Sequence, residues 1–382
     1  MCDVVIRPCG SYQDAKNALQ GVLAPLGGLD WVKPGMRIAI KANLVSMMKP
    51  ERAATTHPDL LCALTELLTE RGAEVVVGDS PGGLYNLTYV NRVYAATGMH
   101  RVEEAGAVLN RDFSQAEAHF PEAVSAKTFA YTRYLDDCDA IINFCKLKSH
   151  GMMGLSAAAK NLFGVVPGTI KPEYHFRFPT PEQFSHMIVD LNAYFKPCLS
   201  ICDAVVAMEG NGPTQGNPRP MGALFAARNP HKLDVLAATL IGLTPGNVPT
   251  IRAAFERGLT PLTVEELAID GDYLSLIAPD FDRIEHYRSM HFSGTDNTTW
   301  EKLRGWVVKT CMQSRPQADK KECIGCKACE KICPAKAITM KNGLPVIDRK
   351  VCIGCFCCQE FCTNGAMKVV RPPIGRLLNR GK

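Results

Sequence analysis

No stretch of this chain approaches eighteen consecutive apolar residues, which excludes a helix of the kind that spans a bilayer. The opening residues, Met1-Cys-Asp-Val-Val-Ile-Arg-Pro, lack the charged and apolar regions of an export signal, so an unexported, cytoplasmic protein is expected. No G-x4-G-K-[ST] phrase occurs, which argues against direct ATP hydrolysis. Gly210-Asn-Gly-Pro-Thr-Gln-Gly216 is one residue too long for a dinucleotide fingerprint, and Pro213, Pro218 and Pro220 bar an immediate helix. Charge of one sign is also scarce. A net +5 over 382 residues is too mild to argue for nucleic acid or a lipid surface as partner.

Cysteine is plentiful, with 17 residues. In an unexported chain that number points to thiols and metal rather than disulfides. Nine fall in two runs, eight of them at patterned positions: Cys323-Ile-Gly-Cys326-Lys-Ala-Cys329-Glu-Lys-Ile-Cys333 and Cys352-Ile-Gly-Cys355-Phe-Cys-Cys358-Gln-Glu-Phe-Cys362. Each is C-x2-C-x2-C-x3-C, a spacing in which three thiolates close on one iron–sulfur cube and the fourth reaches the cube of the other run. Two [4Fe–4S] clusters are therefore expected, one on Cys323, Cys326, Cys329 and Cys362, the other on Cys352, Cys355, Cys358 and Cys333. Zinc sites pair two C-x2-C units and need neither the third nor the fourth cysteine of each run. The segment resembles bacterial two-cluster ferredoxins. It departs from them at Thr363, where the first run has Pro334, and at Cys357, an extra thiol; the x2 spacing favours Cys358 as the ligand. Between Asp319 and Arg371 stand ten Lys/Arg and five Asp/Glu, an excess that offsets the negative charge of thiolate-bound clusters.

The rest of the chain alternates strand and helix patterns. Strands are expected at Arg37–Val45, Ala73–Val77, Asp139–Phe144, Leu199–Met208 and Ala223–Ala227. Helices are expected at Asp59–Arg71, Val90–Ala107, Ser156–Phe163, Phe184–Tyr194 and Lys232–Ile241. That alternation predicts an α/β domain with a mostly parallel sheet flanked by helices. The expected organisation is an α/β domain over 1–313, a linker over 314–319, a small ferredoxin domain over 320–371 and a basic tail over 372–382. Residues 280–293 read as irregular and 298–313 as a helix.

Ligands of open α/β sheets bind beyond the carboxyl ends of the strands. The polar residues expected there are Lys41 and Asn43, Asp79 and Ser80, Lys146, Lys148, Ser149 and His150, and Asp203, Glu209 and Asn211. Helix and loop add Lys160, Asn161, Lys171, His175 and Arg177. Lys41 interrupts the apolar run Ile38-Ala-Ile-Lys-Ala, and a lysine inside a buried strand requires a partner or a ligand. Lys146, Lys148 and His150 follow closely on the strand ending at Phe144, and a shared basic pocket for a carboxylate or phosphate is expected.

Lys-Ala-Asn-Leu-Val (41–45), Gly-Asp-Ser-Pro-Gly-Gly (78–83), Lys-Leu-Lys-Ser-His (146–150), Ala-Lys-Asn-Leu-Phe-Gly-Val-Val-Pro-Gly (159–168) and Glu-Gly-Asn-Gly-Pro-Thr-Gln-Gly (209–216) resemble an iron–sulfur family. That family carries the domain of unknown function 362, often fused to a two-cluster ferredoxin. Where it has Asp-Pro-Val-Ala-Leu-Asp, this chain has Asn229-Pro-His-Lys-Leu-Asp234. The resemblance implies a ferredoxin-linked protein and brings no settled reaction with it.

The function expected is a ferredoxin-type oxidoreductase. Its clusters would pass low-potential electrons to an anionic substrate or cofactor held by Lys41, Lys146 and Lys148, with His150 or His175 as proton donor. A redox partner protein would exchange those electrons. The rival is a non-enzymatic electron carrier or metallocentre-assembly partner that docks another protein. Convergence of the basic residues in space separates the two.

Overall fold

The computed structural model describes residues 2–284, 315–362 and 364–370. Thr363, the helix expected over 298–313, the irregular stretch from 285 onward and the basic tail lie outside the described residues.

The strands of the large domain are β1 (Val4–Pro8), β2 (Arg37–Lys41), β3 (Glu74–Gly78), β4 (Val108–Leu109), β5 (Gln115–His119), β6 (Thr128–Thr132), β7 (Ala140–His150), β8 (Gly154–Ser156), β9 (Leu199–Asn211), β10 (Gln215–Ala227) and β11 (Ile269–Asp270). Nine form one sheet in the order β11-β1-β10-β9-β7-β2-β3-β4, with β8 beside β7; β5 and β6 form a separate hairpin. Within the large sheet, β8 and β10 run against the rest, so it is mostly parallel.

Strands covered on both faces read as continuous apolar runs, as Val75-Val-Val77 and Ile141-Ile142 do. On one face Ile38, Ile40, Val75, Val77, Ile142 and Ile201 pack against the helices Ala15–Leu23 and Pro58–Thr69. The second of these is capped by His57, whose ring nitrogen accepts from Asp59 N at 3.3 Å, and it buries Leu60, Leu61, Leu64, Leu67 and Leu68. On the other face the helices Pro181–Phe195 and Pro230–Leu240 cover the sheet. The helical pattern over 90–107 is two helices, Leu87–Thr97 and Arg101–Glu104, broken where Gly98 turns left-handed at φ 71°.

The strands end elsewhere than the sequence reading places them. β2 and β3 stop at Lys41 and Gly78, with Lys41 opposite Asn143 of β7. β7 does not stop at Phe144. It runs on to His150, about 23 Å past Asn143 at ~3.3 Å per residue. Its partners there are β9, through Lys148 opposite Met208, and β8, through His150 opposite Gly154. Lys146, Lys148 and His150 therefore lie within a strand rather than after one. Likewise Glu209 and Asn211 lie within β9, and the Gly210–Gly216 run is a hairpin turn between β9 and β10. A Cβ on Gly212 would sit 2.0 Å from Ser149 O, so the turn needs glycine where it crosses β7.

The small domain sits on this projecting ribbon. Its strands are β12 (Arg315–Ala318), paired with β15 (Met367–Val370), and the hairpin β13 (Ile338–Lys341) with β14 (Leu344–Ile347). Asn342 and Gly343 turn that hairpin at φ 50° and 76°, as a two-residue Asn-Gly loop should. The expected linker over 314–319 is thus a strand of the small domain from Arg315 onward. Its sequence has no helix or loop preference strong enough to resist pairing with β15.

The short helix Cys357–Glu360 faces the large domain. Gln359 Nε2 donates to Asn211 O at 2.7 Å, and Gln215 Nε2 donates to Cys362 O at 3.2 Å. Phe356, only 4% exposed, and Val369 join the apolar cluster that holds Met152, Met153, Leu162 and Phe184. Two buried side chains of the large domain's core are therefore supplied by the small one. Truncating a buried phenylalanine costs about 3–5 kcal/mol. Phe356→Ala is expected to lower the thermal unfolding midpoint of the holoprotein by roughly 10 °C. An unchanged midpoint would mean that the two domains do not share a core.

Candidate functional site

The cysteines define two cavities. Cys323, Cys326, Cys329 and Cys362 line one. Cys333, Cys352, Cys355 and Cys358 line the other. In each, the fourth cysteine comes from the opposite run. The remaining lining is largely apolar, including Ala318, Met340 and Met367 in the first and Pro316, Ile338 and Ile347 in the second. Four convergent thiols in an apolar enclosure fit a [4Fe–4S] group. Cys357 lines neither cavity. It is buried and hydrogen-bonded to the Cys355 thiol, an interaction that holds the Cys355 pKa below the usual thiol value.

Beyond the ends of β2 and β3 lies a buried polar network. Lys41 Nζ is 2.8 Å from Asp79 Oδ1 and donates to Asn161 Oδ1 at 3.3 Å. Asn43 Nδ2 donates to the same Asn161 oxygen at 2.8 Å, while Asn43 Oδ1 accepts from Lys148 Nζ at 2.8 Å. Two amides therefore tie Lys41 to Lys148. Asn161 Nδ2 donates in turn to Asn143 Oδ1 at 2.8 Å. Lys171 Nζ donates to Ser80 O at 2.5 Å and to Val166 O at 2.7 Å. A Cβ on Gly164 would lie 2.1 Å from Asp79 Oδ1 and 2.4 Å from Lys41 Nζ. One on Gly168 would lie 2.1 Å from Pro81 O. Both glycines of the 159–168 phrase are thus required by close backbone approach to the network.

Against this network the small domain places Glu360, two residues from Cys358. Its Oε1 lies 3.1 Å from His150 Nε2. His150 Nδ1 accepts from Met152 N and Met153 N at 3.1 and 3.2 Å, so the ring proton sits on Nε2 and faces Glu360. Burial, then the nearby Lys160, hold the His150 pKa down at about 3, leaving the imidazole neutral. Glu360 stays ionised against its burial, held at about 2 by His150, Lys160 and His175. His175 stacks on Phe184 with ring centroids 4.4 Å apart, and burial takes its pKa down to about 4. Lys160 Nζ stands 5.7 Å from the centre of the Phe163 ring, and among the described residues it makes no hydrogen bond or ion pair.

Lys41, Asn43, Asp79, Asn161 and Lys148 thus share one network, with Ser80 at its edge. His150, His175 and Lys160 gather around Glu360. Lys146 belongs elsewhere: its Nζ is 2.7 Å from Asp203 Oδ2 and 2.9 Å from Tyr12 OH, beside a stacked Tyr12–His57 pair. Glu209 turns away and accepts from Asp282 N at 3.1 Å. Asn211 contributes its backbone carbonyl to Gln359. The lysines of the expected basic pocket are not left facing one another alone. Asp79, Glu360, amide oxygens and backbone carbonyls already face them. Glu360, Asn143 and Tyr12 escape the sequence reading. Asn143 had a signal, a polar residue inside Ile-Ile-Asn-Phe; Glu360 had none beyond its place in the second cysteine run.

Burial takes the pKa of both Lys148 and Lys171 down to about 7. Unfolded, each would titrate near 10.4. Below pH 7 both states are protonated and the cost of burying charge is fully present. From pH 7 to about 10 the unfolded chain holds more protons, so stability rises with pH. Urea unfolding is expected to show a gain of about 2 kcal/mol per lysine between pH 7 and 9. Lys148→Met should remove about half of that slope; an unaltered slope would mean that burial does not lower the pKa of Lys148.

The fold and site define an α/β protein joined to an iron–sulfur domain. Residues 38–239 match the family model described as domain of unknown function DUF362, and residues 315–363 match a 4Fe-4S dicluster domain. The chain belongs to the DUF362 family and carries a C-terminal iron–sulfur cluster-binding domain. It is 34% identical over 256 residues to the thylakoid-associated protein sll1697 of Synechocystis sp., a match spanning 65% of this chain and 76% of that protein. Among solved structures it is similar to the lactate racemase apoprotein of Thermoanaerobacterium thermosaccharolyticum, at 14% identity and a TM-score of 0.39, over 60% of this chain and 55% of that one. A likeness that loose says nothing about activity. No helix among the described residues is long and apolar enough to cross a membrane.

Proposed function

We propose that this is a cytoplasmic ferredoxin-type oxidoreductase with two [4Fe–4S] clusters, acting on an anionic substrate or cofactor at the junction between the small domain and the buried network. The clusters would be held by Cys323, Cys326, Cys329 and Cys362 and by Cys333, Cys352, Cys355 and Cys358; when bound they supply single low-potential electrons. The observation that carries the reading is the placement of Glu360, two residues from Cys358, 3.1 Å from His150 Nε2. Lys160 and Lys148 supply the positive charge that would hold a carboxylate or phosphate where the Glu360 carboxylate now lies. His150, as a neutral imidazole, would present its Nε2–H as a hydrogen-bond donor to that position, and His175 closes the apolar wall. Lys41 and Asp79 neutralise each other and fix Asn161 and Asn43, which orient Lys148.

The test is anaerobic purification of the full chain, followed by small-molecule analysis of what accompanies it. Candidate carboxylates and phosphates are then added to the reduced protein. Oxidation of the protein by an anionic compound, with proton uptake, supports the reading. If no anion accompanies or oxidises it, while a reduced or oxidised protein partner does, the electron-carrier alternative stands instead.

A further inference from the structure

The two cysteine cavities differ in the exposure of their thiols. Cys355 and Cys358 are buried and Cys333 and Cys352 half-buried, and the neighbouring Phe356 and Gln359 pack against the large domain. On the other cavity Cys326 is exposed and Ile324 is 68% exposed. Four lysines flank that opening, and Lys320, Lys321, Lys327 and Lys331 are all exposed. Among the described residues none of the four forms an ion pair. The neighbouring acids are occupied: Glu322 is 2.7 Å from Lys368 Nζ, Glu330 accepts from Met340 N at 3.0 Å, and Asp319 accepts from Lys321 N at 2.9 Å. An exposed apolar side chain over a redox site, ringed by unpaired like charges, has the form of an apolar contact with a charged rim.

We propose that this face docks an acidic one-electron carrier protein, which exchanges electrons with the cluster held by Cys323, Cys326, Cys329 and Cys362. The other cavity has two of its four thiols, Cys355 and Cys358, buried, which leaves this face the more open of the two. The identity of the acceptor in the buried network rests on the function proposed above. The docking face does not: it would serve electron entry or exit whichever reading of that network holds.

The probe is a plant-type [2Fe–2S] ferredoxin, a small and strongly acidic carrier. Its affinity for the holoprotein is measured by calorimetry with both proteins oxidised, so that no turnover is involved. Affinity is expected to fall at least tenfold between about 20 mM and about 200 mM salt. Lys321→Glu combined with Lys327→Glu should weaken binding about tenfold at the lower salt, with cluster content unchanged. The rate of reduction by methyl viologen radical, a small cation that needs no docking face, should not fall. Absence of a complex at low salt overturns the proposal. So does unchanged affinity in the double variant accompanied by shifted cluster potentials, which would mean that the lysines only offset the charge of the cluster.

Discussion

Cys333→Ser is expected to remove the cluster of the second run and leave that of the first. Cys333 belongs by sequence to the first run but lines the cavity of Cys352, Cys355 and Cys358. Cys362 is its mirror image, lining the cavity of Cys323, Cys326 and Cys329. A serine hydroxyl is a far poorer ligand for cluster iron than a thiolate. Iron and acid-labile sulfide should fall from about eight of each per chain to about four. Cys362→Ser should show the complementary loss. Electron paramagnetic resonance of the reduced variants would tell the two apart, because the second-run cavity has two buried thiols, Cys355 and Cys358, and the first-run cavity has none. The second-run signal should vanish in Cys333→Ser and persist in Cys362→Ser. Loss of the first-run signal in Cys333→Ser would mean that each run holds its own cluster.

The second large effect concerns the buried network. Lys148→Ala removes the amine that donates to Asn43 Oδ1 and Ala54 O, both at 2.8 Å. It also takes away positive charge next to the position proposed for the anion. Turnover with the anionic compound identified above should fall by at least about a hundredfold in kcat/KM, mainly through KM. His150→Ala removes the imidazole whose Nε2 proton faces that position. Its effect should fall on kcat, by about 10²–10⁴-fold. Both variants should retain full iron and sulfide, because neither side chain touches a cysteine of either cavity. Normal kinetics in both would move the reaction away from this network.

The parts of this architecture that were legible in the sequence depend on local chemistry. The grouping of the cysteines is of this kind: their spacing places Cys333 with the second run and Cys362 with the first, and the two cavities group them the same way. Lys41 was legible because a lysine in an apolar strand must find a counter-charge, and Asp79 provides it. The helix from Pro58 was legible through its leucine periodicity. What was not legible depends on partners distant in sequence. The polar stretch after Phe144 reads as a loop, yet it stays extended because β8 and β9 bond to it. Lys146 reads as a neighbour of Lys148 and instead pairs with Asp203, which no local pattern announces. Glu360 reads as one acid among several in a basic domain, and only the docking of that domain brings it to His150. Gly164 and Gly168 carry no local signal, whereas the Asp79 and Lys41 side chains at the first and the Pro81–Gly83 backbone at the second leave no room for a Cβ.

In the proposed function, the cluster of Cys333, Cys352, Cys355 and Cys358 is electrically coupled to the buried network of the large domain. The midpoint potentials of the two clusters in Lys160→Met test it most directly. Lys160 belongs to the large domain, faces Glu360 and Cys357, and makes no ion pair of its own among the described residues. Removing a cation beside a site makes that site harder to reduce. The potential of the second-run cluster is expected to fall by on the order of 50 mV, while that of the first-run cluster stays where it is. Two unchanged potentials, or an equal shift in both, would contradict the account.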